Sequence, residues 1–177
     1  MIITMVPEPD LTPAEWSRLE ALMAALAGDA DAYVRELAAE ALGRIGGPAA
    51  VAALMAALAG DANAAVRRKA VVALGRIGGP AAALKAAMTG DADAWVREFA
   101  VEALGRIGGP EAVAALAAAL AGDADTAFHR LVAYALGRIG GHAAVDALAT
   151  ALTSNADPNV RQSAVEALSM IAKKYPT

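Results

Sequence analysis

The sequence predicts an all-α fold, a right-handed α-solenoid (superhelix) of about five stacked helix pairs. The main observation is a phrase, VRELAAEALGRIGG at residues 34–47, that returns in recognisable form at residues 66, 96, 128 and 160. Its spacings of 32, 30, 32 and 32 residues are typical of solenoids. Alanine, the best helix former, makes up more than a quarter of the chain, and no stretch alternates with the period of two that indicates a strand. We therefore expect helices and no strands.

Each repeat contains two helical patterns, which we call the A helix and the B helix. In the second repeat they are PAAVAALMAALAG at residues 48–60 and NAAVRRKAVVALGRIGG at residues 63–79. The first A helix begins with a capping box from Thr12 to Glu15, with proline at the first helical position. We expect a single domain over residues 1–177, with helix pairs at approximately 12–46, 47–78, 79–108, 109–140 and 141–174.

Residues that begin and end helices recur along the chain. Three A helices are expected to have proline at their first position, namely Pro48, Pro80 and Pro110. The expected N-caps of the B helices are Asp31, Asn63, Asp93, Asp125 and Asp157. Glycine pairs follow four B helices and are suited to the left-handed turn that ends a helix. The two residues missing before Val96 predict a shorter third A helix or a shorter loop.

Composition disfavours several classes of protein. The net charge of −4 and the pI near 5.1 argue against a dedicated polyanion binder. The chain has no cysteine, which excludes disulfides and thiolate metal sites. The first ten residues do not have the pattern of a signal peptide, and the longest uncharged run, residues 45–60, is too short to span a bilayer. We expect a cytoplasmic protein with no membrane partner.

The repeated phrase resembles the HEAT-like repeats named after phycobilisome lyases, whose pattern is close to D-x-x-V-R-x-x-A-A-x-A-L-G-x-I-G. The likeness covers nearly the whole chain, and the chain also resembles the engineered alphaRep scaffolds, which leaves a natural or an engineered origin open. The resemblance implies a solenoid whose B helices line the inner, concave face. It carries no catalytic residue onto this sequence.

Two metal sites are disfavoured residue by residue. Deoxyhypusine hydroxylase is similar in its helices and binds iron through His-Glu pairs, but the matching positions here, beginning with Glu36-Leu37, never read His-Glu. The GDAD loops lack the later oxygen ligands of a calcium loop and are interpreted as caps. We therefore expect no enzyme activity, no metal and no cofactor.

One arginine is nearly constant in the B helices and occurs as Arg35, Arg67, Arg97 and Arg161. One interpretation is a charge ladder for ligands, but in repeats of the kind that this chain resembles such arginines pair with loop aspartates of adjacent repeats. We expect that pairing here, for which Asp29, Asp61, Asp91 and Asp123 are available. His129 replaces this arginine once, so that pairing should be weaker.

Four B-helix positions vary between repeats, and their spacing of i, i+4, i+7 and i+11 places them on one helical face. We call this face the variable stripe; in the first repeat it is formed by residues 33, 37, 40 and 44. Large apolar residues on an exposed face indicate binding, although curvature could instead bury them between helices. The candidate partner-binding residues are Tyr33, Leu37, Arg44, Lys69, Val72, Arg76, Trp95, Phe99, Arg106, Leu131, Tyr134 and Arg138.

The sequence thus predicts a non-catalytic scaffold that binds a protein or peptide. One alternative is nucleic-acid binding, because the arginines of the stripe would line up about 10 Å apart with aromatics between them. Another is an accessory subunit resembling bilin lyases. The alanine-rich outer face of the A helices also permits a homodimer.

Overall fold

The computed structural model describes residues 11–122, 126–155 and 157–174, and within these ranges the chain forms ten α-helices and no strand. The all-α prediction and the five helix pairs are confirmed. The A helices are α1 (Pro13–Gly28), α3 (Gly47–Gly60), α5 (Ala81–Gly90), α7 (Gly109–Leu120) and α9 (Gly141–Ser154). The B helices are α2 (Ala32–Ile45), α4 (Ala64–Ile77), α6 (Ala94–Ile107), α8 (Thr126–Ile139) and α10 (Pro158–Lys174).

Contacts between helices group the chain into two compact units, of which the first ends at Gly79 and the second begins at Pro80. In the first unit α1 packs on α3, and α2 packs on α4. In the second unit α5, α7 and α9 form one layer, and α6, α8 and α10 form the other. Each unit is therefore a two-layer stack of A and B helices. The extent of a single domain stays a prediction.

The helix ends follow the predicted caps closely. Asp31, Asn63 and Asp93 accept hydrogen bonds from backbone N–H groups of the first turn of α2, α4 and α6. Thr12 and Glu15 form the predicted capping box at α1. The expected cap Asp125, the partner Asp123 and the first ten residues lie outside the described residues.

The prolines are displaced by one residue from the predicted position. Pro48 and Pro110 stand second in their helices, because the preceding glycines already join α3 and α7. Pro80 is the N-cap of α5 and not its first residue. The two missing residues shorten α5 to 10 residues, against 14 in α3, as predicted.

The buried face of the B helices includes small residues at which neighbouring helices approach closely. Ala39 and Gly43 are buried in α2 because α4 packs against them. A Cβ atom added to Gly43 would lie 2.5 Å from Cβ of Ala73, so glycine is required by the close approach of the two helices. The approach is less close at Gly105 and Gly137, where an added Cβ would lie 3.0 Å from Cβ of Ala135 on α8 and 3.2 Å from Cα of Ala167 on α10. Ile45, the last residue of α2, is 49% exposed.

Candidate binding surface

The variable stripe carries most of the large apolar side chains that the described residues expose. Tyr33 and Leu37 are 64% and 49% exposed in the first unit, and Trp95 and Tyr134 are 62% and 52% exposed in the second. On the same helices, the constant positions Ala38, Leu42, Ala100 and Leu104 are buried. Variation between repeats therefore coincides with exposure.

None of the twelve candidate residues is buried. In the first unit, α2 brings together Tyr33, Leu37 and Arg44, and α4 carries Lys69, Val72 and Arg76 beside them. In the second unit the remaining six lie on the adjacent helices α6 and α8. The half-buried members, which are partly shielded by neighbouring helices, are Lys69, Val72, Phe99 and Leu131.

Glutamates on the variable stripe form ion pairs with several of its arginine and lysine side chains. Arg44 Nη2 and Lys69 Nζ both donate to Glu40, the lysine at 2.9 Å. In the second unit Arg106 donates to Glu102 at 3.2 Å. The hydrogen bond from Lys69, together with the charges of Lys69 and Arg44, lowers the pKa of Glu40. The i, i+4 pairs therefore offset the positive charge that these arginines would otherwise present.

A groove of about 420 Å³ lies between α8 and α10 in the second unit. Ala127, Leu131 and Tyr134 of α8 line it on one side. Glu98 of α6, Arg130 of α8 and Ser163, Glu166, Ala167 and Met170 of α10 complete the lining.

Sequence reasoning missed this groove, although most of the residues that line it belong to the variable stripe. The sequence signal for the groove is a change in side-chain size between equivalent positions of the repeats. Ala127 and Ser163 occupy the repeat positions that Trp95 and Phe99 fill on α6. Small residues at those two positions leave space between α8 and α10.

The nearly constant arginine makes structural contacts, and the predicted pairing with an aspartate of the adjacent repeat is seen at Arg35. Arg35 forms a two-point ion pair with Asp61, its Nε to Oδ2 distance being 2.7 Å, and also donates to the carbonyl of Asp29. Each of the other three arginines donates in the same way to the backbone carbonyl of the loop residue six positions before it. The pairs are Arg67 with Asp61, Arg97 with Asp91, and Arg161 with Asn155.

His129, which replaces the arginine in the fourth repeat, satisfies only one of its two ring nitrogens within the described ranges. Its Nε2 lies 3.1 Å from the carbonyl of Gly122, while its buried Nδ1 has no partner in the described part of the chain. Thr126 Oγ1 instead donates to Asp157 at 2.8 Å and so joins the last two repeats.

No group of three or more potential metal ligands occurs among the described residues. Over the same ranges, no helix combines the length and apolar character needed to cross a bilayer.

A comparison with protein families matches HEAT repeats over residues 19–88 and 81–169. The chain belongs to the HEAT-repeat family. Among solved structures, this HEAT-repeat protein is similar to a chain in the complex of CpcE and CpcF of phycocyanin lyase from Nostoc sp. PCC7120. Identity is 27%, the TM-score is 0.67, and the match covers 98% of this chain and 70% of that one.

Human deoxyhypusine hydroxylase, solved in complex with glycerol, is also similar to this HEAT-repeat chain. Identity is 22%, the TM-score is 0.48, and the match covers 90% of this chain and 86% of that one. No curated protein sequence matches the chain.

Proposed function

We propose that this HEAT-repeat protein is a non-catalytic scaffold that binds a protein or peptide through the variable stripe of its B helices. The observation that carries the proposal is the exposure of Trp95 and Tyr134 on adjacent helices, at positions that change between repeats. Trp and Tyr are favoured anchors of protein interfaces because they bury a large area with few rotatable bonds. A face with no binding role is expected to carry small or charged residues there.

The ion pairs of the stripe favour a protein or peptide over nucleic acid. Arg44 and Arg106 already contact carboxylates on their own helices. A nucleic acid would have to compete with Glu40 and Glu102 for these guanidinium groups, and the chain carries a net charge of −4. The similar chain from phycocyanin lyase was solved in a complex of two proteins, CpcE and CpcF, which agrees with a protein partner.

A selection of random short peptides displayed on phage tests the proposal and does not require the partner to be identified first. Peptides enriched on the unmodified chain are measured against Trp95→Ala and Tyr134→Ala. Each change should weaken binding about tenfold or more, since truncating a central aromatic anchor removes a large share of the binding energy. Met55→Ala is the matched control, because Met55 is an exposed apolar residue on an A helix. Peptides that bind both stripe variants as well as they bind the unmodified chain would overturn the proposal.

A further inference from the structure

The groove between α8 and α10 combines an apolar wall with charged groups. Leu131, Tyr134 and Met170 supply the apolar surface. The charged residues that line it are Glu98, Arg130 and Glu166. Its formal charge is therefore −1, from two carboxylates and one guanidinium.

These charges are largely unsatisfied within the protein. Neither Glu98 nor Arg130 forms an ion pair with a described residue, and Glu166 accepts one hydrogen bond, from Gln162 Nε2 at 3.0 Å. Glu40 and Glu102 on the variable stripe differ from these two carboxylates, since both are paired with cations. The groove thus presents carboxylate oxygens that can still accept from a ligand.

The size and shape of the groove suit side chains of a peptide. A cavity of about 150 Å³ is large enough for benzene, so 420 Å³ holds two or three side chains of that size. Ala127 and Ser163, small where α6 carries Trp95 and Phe99, create this space. The helices α8 and α10 flank the groove on its two sides, an arrangement typical of sites that bind a short peptide segment.

We propose that this groove binds a peptide segment in which a lysine or arginine adjoins a bulky apolar residue. The inference rests on the proposed function and specifies its ligand. The apolar residue packs against Leu131 and Met170, and the cation is held by Glu98 and Glu166. Tyr134 adds the face of an aromatic ring, which attracts a cation.

The direction in which three charge substitutions change Kd tests this proposal. Peptides from the display selection should be enriched in a basic residue next to an apolar one. For such a peptide, synthesised with a fluorescent label, Glu98→Gln and Glu166→Gln should each raise Kd about tenfold through loss of a charged hydrogen bond. Arg130→Gln should lower Kd, because it removes a like charge from the groove. Glu111→Gln, an exposed change on α7, should leave Kd unchanged.

A steric variant tests the location independently. Ala127→Trp places in α8 the residue that α6 tolerates at the same position with 62% exposure, so it should fill the groove without unfolding the chain. We expect it to abolish binding of the basic peptide while a thermal melt followed by circular dichroism stays close to that of the unmodified chain. Binding that survives Ala127→Trp in a folded protein would overturn the inference.

The remaining outcomes separate the two proposals. If selected peptides depend on Trp95 but are acidic, or do not respond to the groove charges, the inference is wrong and the proposed function stands. If the binding peptides respond neither to the groove variants nor to Trp95→Ala and Tyr134→Ala, both are wrong.

Discussion

Arg35 and Asp61, 26 residues apart, form a two-point ion pair that joins the first two helix pairs. Nε donates to Oδ2 at 2.7 Å and Nη2 donates to Oδ1 at 3.0 Å. The two side chains are only 16% and 7% exposed, so water competes weakly for either charge. Asp61 also accepts from the backbone N–H of Asn63 at the start of α4. One carboxylate thus orients a loop and ties two repeats together.

Asp61→Asn should lower the free energy of unfolding by about 2 kcal/mol at neutral pH, because it removes the charge from hydrogen bonds with a guanidinium. The amide oxygen can still accept from Asn63, as Asn155 accepts from the N–H of Asp157 in the last repeat. Urea denaturation measures the change. Asp146→Asn, an exposed change on α9, should have no measurable effect.

The same pair predicts a dependence on pH. The hydrogen bond from Arg35 holds the pKa of Asp61 below its ordinary value of 3.8, against the opposing effect of burial. The folded state therefore binds a proton less readily than the unfolded state. The stability from this carboxylate is present above pH 3.8 and is lost as the pH falls through the folded pKa. The difference in stability between the unmodified chain and Asp61→Asn should shrink over that window; a constant difference would contradict the assignment.

Gly43→Ala should destabilise the first unit by about 1–3 kcal/mol, the usual cost of overpacking. The added Cβ would lie 2.5 Å from Cβ and 2.9 Å from Cα of Ala73, so α2 and α4 must move apart. Gly60→Ala is the control, since an added Cβ there meets nothing within 4 Å. Adding Ala73→Gly to Gly43→Ala should recover much of the loss in urea denaturation. If Gly43→Ala and Gly60→Ala change the free energy of unfolding equally, helix propensity, and not the contact with Ala73, would explain the effect at Gly43.

His129→Arg together with Asn155→Asp should stabilise the second unit. Asn155 occupies the repeat position of Asp61, and residue 129 that of Arg35, so the double change rebuilds the ion pair seen in the first unit. It also removes the buried Nδ1 that has no partner among the described residues. A double-mutant cycle in thermal melts should give a favourable coupling of about 1–2 kcal/mol. A coupling near zero would mean that the two positions do not meet.

Trp95→Ala should change the free energy of unfolding by less than about 1 kcal/mol, as at other exposed sites, because the indole is 62% exposed. Phe99 is half-buried, so adding Phe99→Ala should cost more than the first change alone. Partner binding should be lost in the double variant. Denaturant titration checks stability and peptide titration checks binding. A single Trp95→Ala change that unfolds the chain would make the tryptophan a core residue.

Helix number, pairing and caps were predictable because they depend on local chemistry. A side chain at Asp31 or Asn63 caps the N–H groups two or three residues away, and the apolar stripe of a helix repeats within one or two turns. The period of about 32 residues then sets the number of pairs. The one-residue displacement of Pro48 shows the limit of such reasoning, since it depends on how Gly46 and Gly47 connect two helices.

The binding surface could be predicted only in part. Spacing alone placed Trp95, Tyr134 and the other candidates on one face, and their exposure agrees with that face. The groove between α8 and α10 was not predicted, because it arises from side chains such as Ala127 and Ser163 that lie 36 residues apart in sequence and on different helices. The contact of Gly43 with Ala73 is likewise decided by how neighbouring repeats pack. The ion pair of Arg35 with Asp61 was expected, but its two-point geometry also depends on that packing. A repeated sequence specifies each helix pair locally, whereas the space and charge between pairs depend on tertiary packing.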